Sequence, residues 1–415
     1  MRQQKLFTNL TKTMSFLHKN EGLDHHLETS KHEQLEKIMH VNWKLPINRV
    51  LASSVAALLA TTSVYAIPKG PCDTKPEVCC EEPKPGPFAF SYPLDMNITC
   101  PRDFYVHVDG LAFQAKQDGM EFAISNSEFD PSTSPTTGIS NGEVLGFSND
   151  HSDWDYNPGL RFGMGFYLDH DAWQVDFTWT WLNITNYKNE SIPPSSTNAL
   201  IPEFLIPGSE SATMSATNNT VSASWKASYN VLDARLGKPY YVSRYLILNP
   251  HFGVRAGWID QHFSVDYGGA YSGVARAIAH SDNDLWTFGA RTGLNTDWIL
   301  GKGWSLFGNV AGSLLFGKFD IDQHLDYGDS DGYNLDDDFY QNVTNVEIAL
   351  GLSWGQHFDK NKYRVGLRAA YEFHEWFDIN NIRKFYGPSP YYANDRVARG
   401  NLNLNGFSLS LSLDL

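Results

Sequence analysis

Residues 159–182, GLRFGMGFYLDHDAWQVDFTWTWL, restrict the fold more than any other stretch. Leu160, Phe162, Met164, Phe166 and Leu168 alternate with Gly159, Arg161, Gly163, Gly165 and Tyr167. After the polar turn Asp169-His170-Asp171, Trp173, Val175, Phe177, Trp179 and Trp181 alternate with Gln174, Asp176, Thr178 and Thr180. A strict period of two makes a strand with one apolar and one polar face, and two such strands about a short turn make a hairpin. The sorting by size is what discriminates. The apolar face is large and aromatic, and the polar face is glycine with Arg161 and Asp176. A soluble sandwich would bury the large face. A membrane barrel turns it to lipid and keeps small and charged residues inside.

The sorting returns along the chain. Residues 245–258 set Leu246, Leu248, Phe252, Val254 and Trp258 outward and Asn249, His251, Gly253, Arg255 and Gly257 inward. Residues 286–298 repeat it with Trp286, Phe288 and Leu294 against Gly289, Arg291 and Gly293. In 343–354, Val346, Ile348, Leu350, Leu352 and Trp354 oppose Asn345, Glu347 and Ser353. In 363–377, Tyr363, Val365, Leu367, Tyr371 and Phe373 oppose Arg364, Gly366, Arg368, Glu372 and His374. The last strand, 401–415, alternates leucine with serine, and the first, 104–115, carries His107 and Asp109, with Gly110 read as a bulge. In 222–236, Trp225 and Tyr229 lie opposite Lys226, Ser228 and Asn230.

Loop lengths give an independent signal. Turns near 169–171, 237–244, 298–303 and 357–362 are short, whereas connections near 117–155, 188–221, 268–283, 320–341 and 379–400 are long. Short turns on one rim and long loops on the other mark an outer-membrane barrel. The expected fold is therefore all-β: residues 103–415 form a closed antiparallel transmembrane β-barrel with short periplasmic turns and long extracellular loops. Ten strands are strong, and weak segments at 120–124 and 144–147 would raise the count to about twelve. The acidic stretch 320–340 reads as a solvated surface loop. Its Asp329-Ser330-Asp331-Gly332 resembles part of a calcium loop, but the first ligand position falls on Tyr327, so no metal is expected.

Three segments precede the barrel. Residues 1–38 are a polar upstream extension. Residues 39–66 have a signal peptide's features: Lys44 and Arg49, the apolar run 50–60, and Val64-Tyr65-Ala66. Translation is expected to begin at Met39 and the mature chain at Ile67. Residues 67–102 are a Cys/Pro-rich periplasmic segment holding all four cysteines, Cys72, Cys79, Cys80 and Cys100. Confined to one stretch of an exported chain, they are disulfide candidates. No histidine lies among them, which argues against zinc. The formal net charge of −15 argues against nucleic acid as a partner.

Several stretches resemble the pore-forming major outer-membrane protein family of Legionella and Chlamydia-related bacteria. They are FYVHVDGLAFQAKQDGMEFA at 104–123, residues 154–181 with their D-H-D-A-W turn, YNVLDARLGKPYYVSRYLILNPHFGVRAGWIDQ at 229–261, and residues 363–376. The resemblance implies a porin-like protein. It also implies cysteines that help cross-link the envelope, although here they precede the barrel instead of lying in its loops.

The inward charges suggest the mechanism. Arg161, Arg235, Arg255, Arg291, Arg364 and Arg368 would face Asp176, Asp233, Glu347 and Glu372 across a narrow lumen. In a wide barrel such groups line water and set ion selectivity. In a narrow one they pair and fill it. About eight strands are filled by their own side chains, and 16–18 leave a channel. The leading expectation is passive diffusion of ions and small solutes. The alternative is a filled barrel serving as a wall protein, or as an adhesin through its long surface loops. No cofactor is expected. The expected partners are outer-membrane lipid and the permeating solutes; a homo-oligomer and disulfide-linked envelope partners stay open. His107 with Asp109 and His374 with Glu372 are spaced for acid–base chemistry, but no nucleophile motif accompanies them, and a non-enzymatic role is expected.

Overall fold

The computed structural model describes residues 104–126, 142–147, 155–168, 173–192, 199–204, 219–243, 245–271, 274–327, 330–359, 362–389, 392–397 and 399–415. The expected upstream extension, the expected signal peptide, the cysteine-containing segment 67–102 and Asp329 of the calcium-like stretch lie outside them. The strands are β1 (Phe104–Gln117), β2 (Glu121–Asn126), β3 (Gly142–Gly146), β4 (Asn157–Tyr167), β5 (Gln174–Ile192), β6 (Ala199–Pro202), β7 (Asn219–Gly237), β8 (Tyr240–Ser243), β9 (Leu246–Tyr271), β10 (Val274–Gly301), β11 (Trp304–Tyr327), β12 (Ser330–Phe358), β13 (Tyr363–Asn380), β14 (Arg383–Ser389), β15 (Tyr392–Val397) and β16 (Gly400–Asp414).

Ten of these close a barrel in the order β1-β4-β5-β7-β9-β10-β11-β12-β13-β16. Closure is made by β16 against β1, in register from Tyr105↔Asp414 to Gln117↔Leu402. The seam leaves no free edge in the ring. The weak segments near 120 and 144 do form strands, but they add nothing to the wall. With β6 they make a separate sheet, β3-β2-β6, and β14 and β15 pair as a further hairpin. Gly110 is not a bulge: it keeps register with both Leu160 and Leu409.

Outward exposed side chains form an apolar belt bounded by aromatic rims. Trp298 and Trp304 lie on the periplasmic side; Trp258, Trp286, Phe316 and Tyr340 lie on the outer side. Phe316 stacks on Tyr340 at 5.3 Å, and Tyr371 meets Phe407 edge-on at 5.1 Å. Aromatic girdles of this kind sit at the two lipid interfaces. At the periplasmic edge, Gly301, Lys302 and Gly303 turn the chain with φ of 100°, 53° and 80°. A Cβ on Gly303 would lie 2.4 Å from the Gly355 oxygen, so no side chain fits there. The turn expected at 237–244 comes later: past Gly237 the chain continues as β8 and pairs with β9.

Two of the expected long loops are strand. The described residues of segments 268–283 and 320–341 continue the wall, so β9 to β12 run 26, 28, 24 and 29 residues. A membrane crossing needs about 9–11. The strands therefore rise well beyond the outer rim. There the sorting reverses. Ile259, Phe263, Val265, Phe319, Ile321 and Leu325 are buried inside, and the alternate positions Asp260, His262, Asp282, Asp284, Asp320 and Asp322 face out. Water has replaced lipid as the outer solvent, so the polar face turns outward. Trp225 and Tyr229 obey the same rule and point in, while Lys226, Ser228 and Asn230 face out or lie partly exposed.

The inner sheet fills the space between these apolar walls. Phe147 lies 5.9 Å from Phe122, 6.3 Å from Trp225 and 6.2 Å from Phe263. Phe204 lies 5.8 Å from Phe263. The Tyr267 hydroxyl donates to the Phe122 carbonyl at 2.5 Å, and Lys384 Nζ donates to the Glu121 carbonyl at 2.7 Å. Met120, Phe122, Leu145, Phe147, Leu200 and Phe204 join the barrel wall in one hydrophobic core.

Just above the rim, Asp284 stands in register between Asp260 and Asp320. Burial, then the charges of Asp260, Asp282 and Asp320, push its carboxyl from 3.8 up to about 6. A raised acid binds its proton more tightly in the folded state, so burial of the charge together with the repulsion lowers stability above pH 6. The penalty is relieved as the pH falls through 6. Asp284→Asn is expected to raise the unfolding temperature at pH 7.5. The advantage should vanish as the pH approaches the ordinary carboxyl value of 3.8. An equal gain at both ends of that range would mean that the ionised carboxylate is not the cause.

Candidate functional site: an ion-paired layer across the lumen

Below the apolar core the lumen is crossed by charge. On β4, Arg161 presents Nη2 to Glu372 Oε2 at 2.8 Å and Nη1 to Glu372 Oε1 at 3.0 Å. The same Nη1 reaches Asp109 Oδ2 at 3.3 Å, and Nε donates to Thr180 Oγ1 at 3.2 Å. His107 Nδ1 is 2.9 Å from Asp109 Oδ1. His374 Nε2 is 2.9 Å from Glu372 Oε2, and its Nδ1 is 3.3 Å from Glu347 Oε1. Arg255 grips Asp233 with two parallel bonds of 2.7 Å. Its Nη1 donates to Asn345 at 2.6 Å and also contacts Glu347. Arg291 donates to Glu347 Oε2 at 2.6 Å. One connected set thus runs from β1 through β4, β13 and β12 to β10, β9 and β7. Fork-to-carboxylate pairs are the stronger kind of charged hydrogen bond.

The polar face of the opening hairpin finds its reason here. His107 lies opposite Gly163 across the β1–β4 ladder. A Cβ on Gly163 would sit 1.9 Å from His107 Nε2. The glycine is the space into which the ring folds, which brings Nδ1 to Asp109.

The sequence-predicted lining residues stand on the inward face, and each predicted arginine has an acidic partner. Arg235 pairs with Asp176 at 3.0 Å, Arg364 with Asp414 at 3.1 Å and Arg368 with Asp297 at 3.5 Å. These three pairs lie nearer the periplasm, and the Arg368 side chain is 40% exposed. The central layer is drier: the Arg255 side chain is 3% exposed and that of Arg291 is 7%. The sequence reading missed Asp109 as a ligand of Arg161, Asp297 and Asp414 as partners, and Trp376. Asp414 could have been found from its inward place in the last strand. Trp376 could not, because it sits where the inward face changes from polar to apolar. Its ring is fully buried, lies edge-on to Tyr229 at 5.9 Å, and has the Arg255 guanidinium 5.8 Å from its centre.

A closed ring of antiparallel strands, a lipid-facing belt between aromatic rims and a polar, ion-paired interior define an outer-membrane β-barrel protein. Residues 99–415 match the family described as Legionella pneumophila major outer membrane protein precursor, and the chain belongs to that family. It is a protein of the bacterial outer membrane. No curated protein matches it. Among solved structures it is similar to the outer membrane protease OmpT of Escherichia coli, at 8% identity over 76% of this chain and 96% of that one, with a TM-score of 0.34. A FadL homologue of Pseudomonas aeruginosa gives 12% identity over 75% and 89%, TM-score 0.26. An anion-selective porin of Comamonas acidovorans gives 10% over 75% and 98%, TM-score 0.12.

Proposed function

We propose that this protein is a closed wall protein of the outer membrane, holding a rigid β-structure above the cell surface, and not a constitutive diffusion pore. One observation carries the reading: two layers fill the lumen in series. The lower is the ion-paired set from Asp109 to Asp233, and the upper is the apolar core around Phe122, Phe147, Trp225 and Phe263. A hydrated ion meeting the upper layer would lose its water to hydrocarbon, at a cost on the order of tens of kcal/mol. Passive diffusion, the reading the sequence favoured, would require both layers to part. His107 with Asp109 and His374 with Glu372 serve the ion-paired layer and not a reaction. The partners are outer-membrane lipid and whatever meets the extracellular strands.

The test is conductance of the refolded mature chain in a planar bilayer. Insertion with a heat-modifiable gel shift and no discrete current steps is expected. Regular, ion-selective steps in the unmodified protein would overturn the reading and restore diffusion.

A further inference from the structure

Above the outer rim the water-facing wall carries a row of imidazoles. His280 on β10 is in register with His324 on β11. Their rings are 4.7 Å apart at 30°. His262 on β9 continues the row, 6.1 Å from His280 at 27°. Asp326 shares the outward face of β11 two residues past His324, with Oδ2 3.9 Å from His324 Nε2. One ligand atom from each of His280, His324 and Asp326 lies within 4.8 Å of the others.

These side chains have no part in the lumen or the lipid belt. The His324 side chain is 43% exposed and that of Asp326 51%. The nearby Arg276 is engaged elsewhere: it holds Asp266, with Nε 2.8 Å from Oδ1. Among the described residues no lysine or arginine pairs with Asp326. Two ligands at 2.0–2.1 Å from a tetrahedral ion are about 3.3 Å apart. Rotation of half-exposed side chains covers the difference, while the paired strands hold the backbone still.

The geometry points to a divalent transition-metal site of the zinc type, held by His280, His324 and Asp326 on the extracellular wall. Two imidazoles and a carboxylate suit zinc, copper or nickel, whereas magnesium and calcium take all-oxygen sets. Three protein ligands leave a coordination position for water or for a donor from another molecule. His262 is held by Asp282 in close contact and stands next to the set, not in it.

The experiment is calorimetric titration of the refolded full-length chain in detergent with Zn2+, with and without millimolar Ca2+, beside a His280→Ala/His324→Ala double variant. Both proteins must show the same heat-modifiable gel shift. The cysteine segment and the other histidines are common to both, so the difference isolates this site. Loss of one bound equivalent in the variant is expected. Equal binding by both proteins would overturn the proposal. So would a difference that disappears when Ca2+ is present, since that would be acidic-wall binding.

Discussion

Glu347→Ala is expected to cost about 3–5 kcal/mol, the usual penalty for breaking a buried ion pair from one side. Glu347 takes Arg255, Arg291 and His374 at once. Without it, two buried guanidinium groups share Asp233, which Arg291 approaches only to 4.0 Å. The measurement is the urea midpoint of the detergent-folded barrel, read with the temperature of its gel shift. Glu347→Leu combined with Arg291→Leu should recover a large part of the loss, because removing both partners leaves no orphan charge. A single variant within about 0.5 kcal/mol of the parent would mean that water already reaches these groups. The closed-wall reading would then fail with it.

The second large effect is expected at Trp376. It is fully buried where the two filling layers meet, against Tyr229 on one side and Arg255 on the other. Truncation to alanine should cost about 3–5 kcal/mol, as for large aromatic side chains in other cores. It also opens a void beside the ion pairs and removes a ring face from Arg255. The rest of the apolar core and the ion pairs remain, so a folded Trp376→Ala barrel is expected to lose stability and still show no current steps. Regular current steps in folded Trp376→Ala would mean that this one ring closes the lumen and that the two layers do not seal it in series.

The membrane half of this fold was legible because its physics is local. The alternation of Phe162 with Arg161 and Gly163, or of Leu367 with Arg364 and Arg368, states which face meets lipid and which meets its own charges. The extracellular half was misread because the period stayed at two while its phase changed. Adjacent apolar pairs mark the change: Val231-Leu232, Trp258-Ile259, Leu285-Trp286 and Leu315-Phe316 each send one side chain in and one out. Residues 320–326 looked like loop because aspartate is depleted in strands. Yet Asp320, Asp322 and Asp326 alternate with Phe319, Ile321, Gln323 and Leu325, which is a strand with water on one side. The central pairings were illegible for another reason. Arg161 meets Glu372 only because closure of β16 on β1 brings β4 and β13 to either side of that seam, and no local pattern encodes that.

The outward aspartates of the extended wall bear on how the barrel reaches its place and stays there. Inserted from the periplasmic side, the strands β9 to β12 must carry Asp260, Asp282, Asp284, Asp320, Asp322, Asp336 and Asp338 through hydrocarbon once. An aspartate at mid-membrane costs about 2.5–3.5 kcal/mol on the insertion scale. Departure would require the same crossing in reverse, now with the core above the rim already assembled. The extended strands therefore act as a one-way latch: the barrel's residence in the membrane is set by a barrier to extraction, whatever its equilibrium stability.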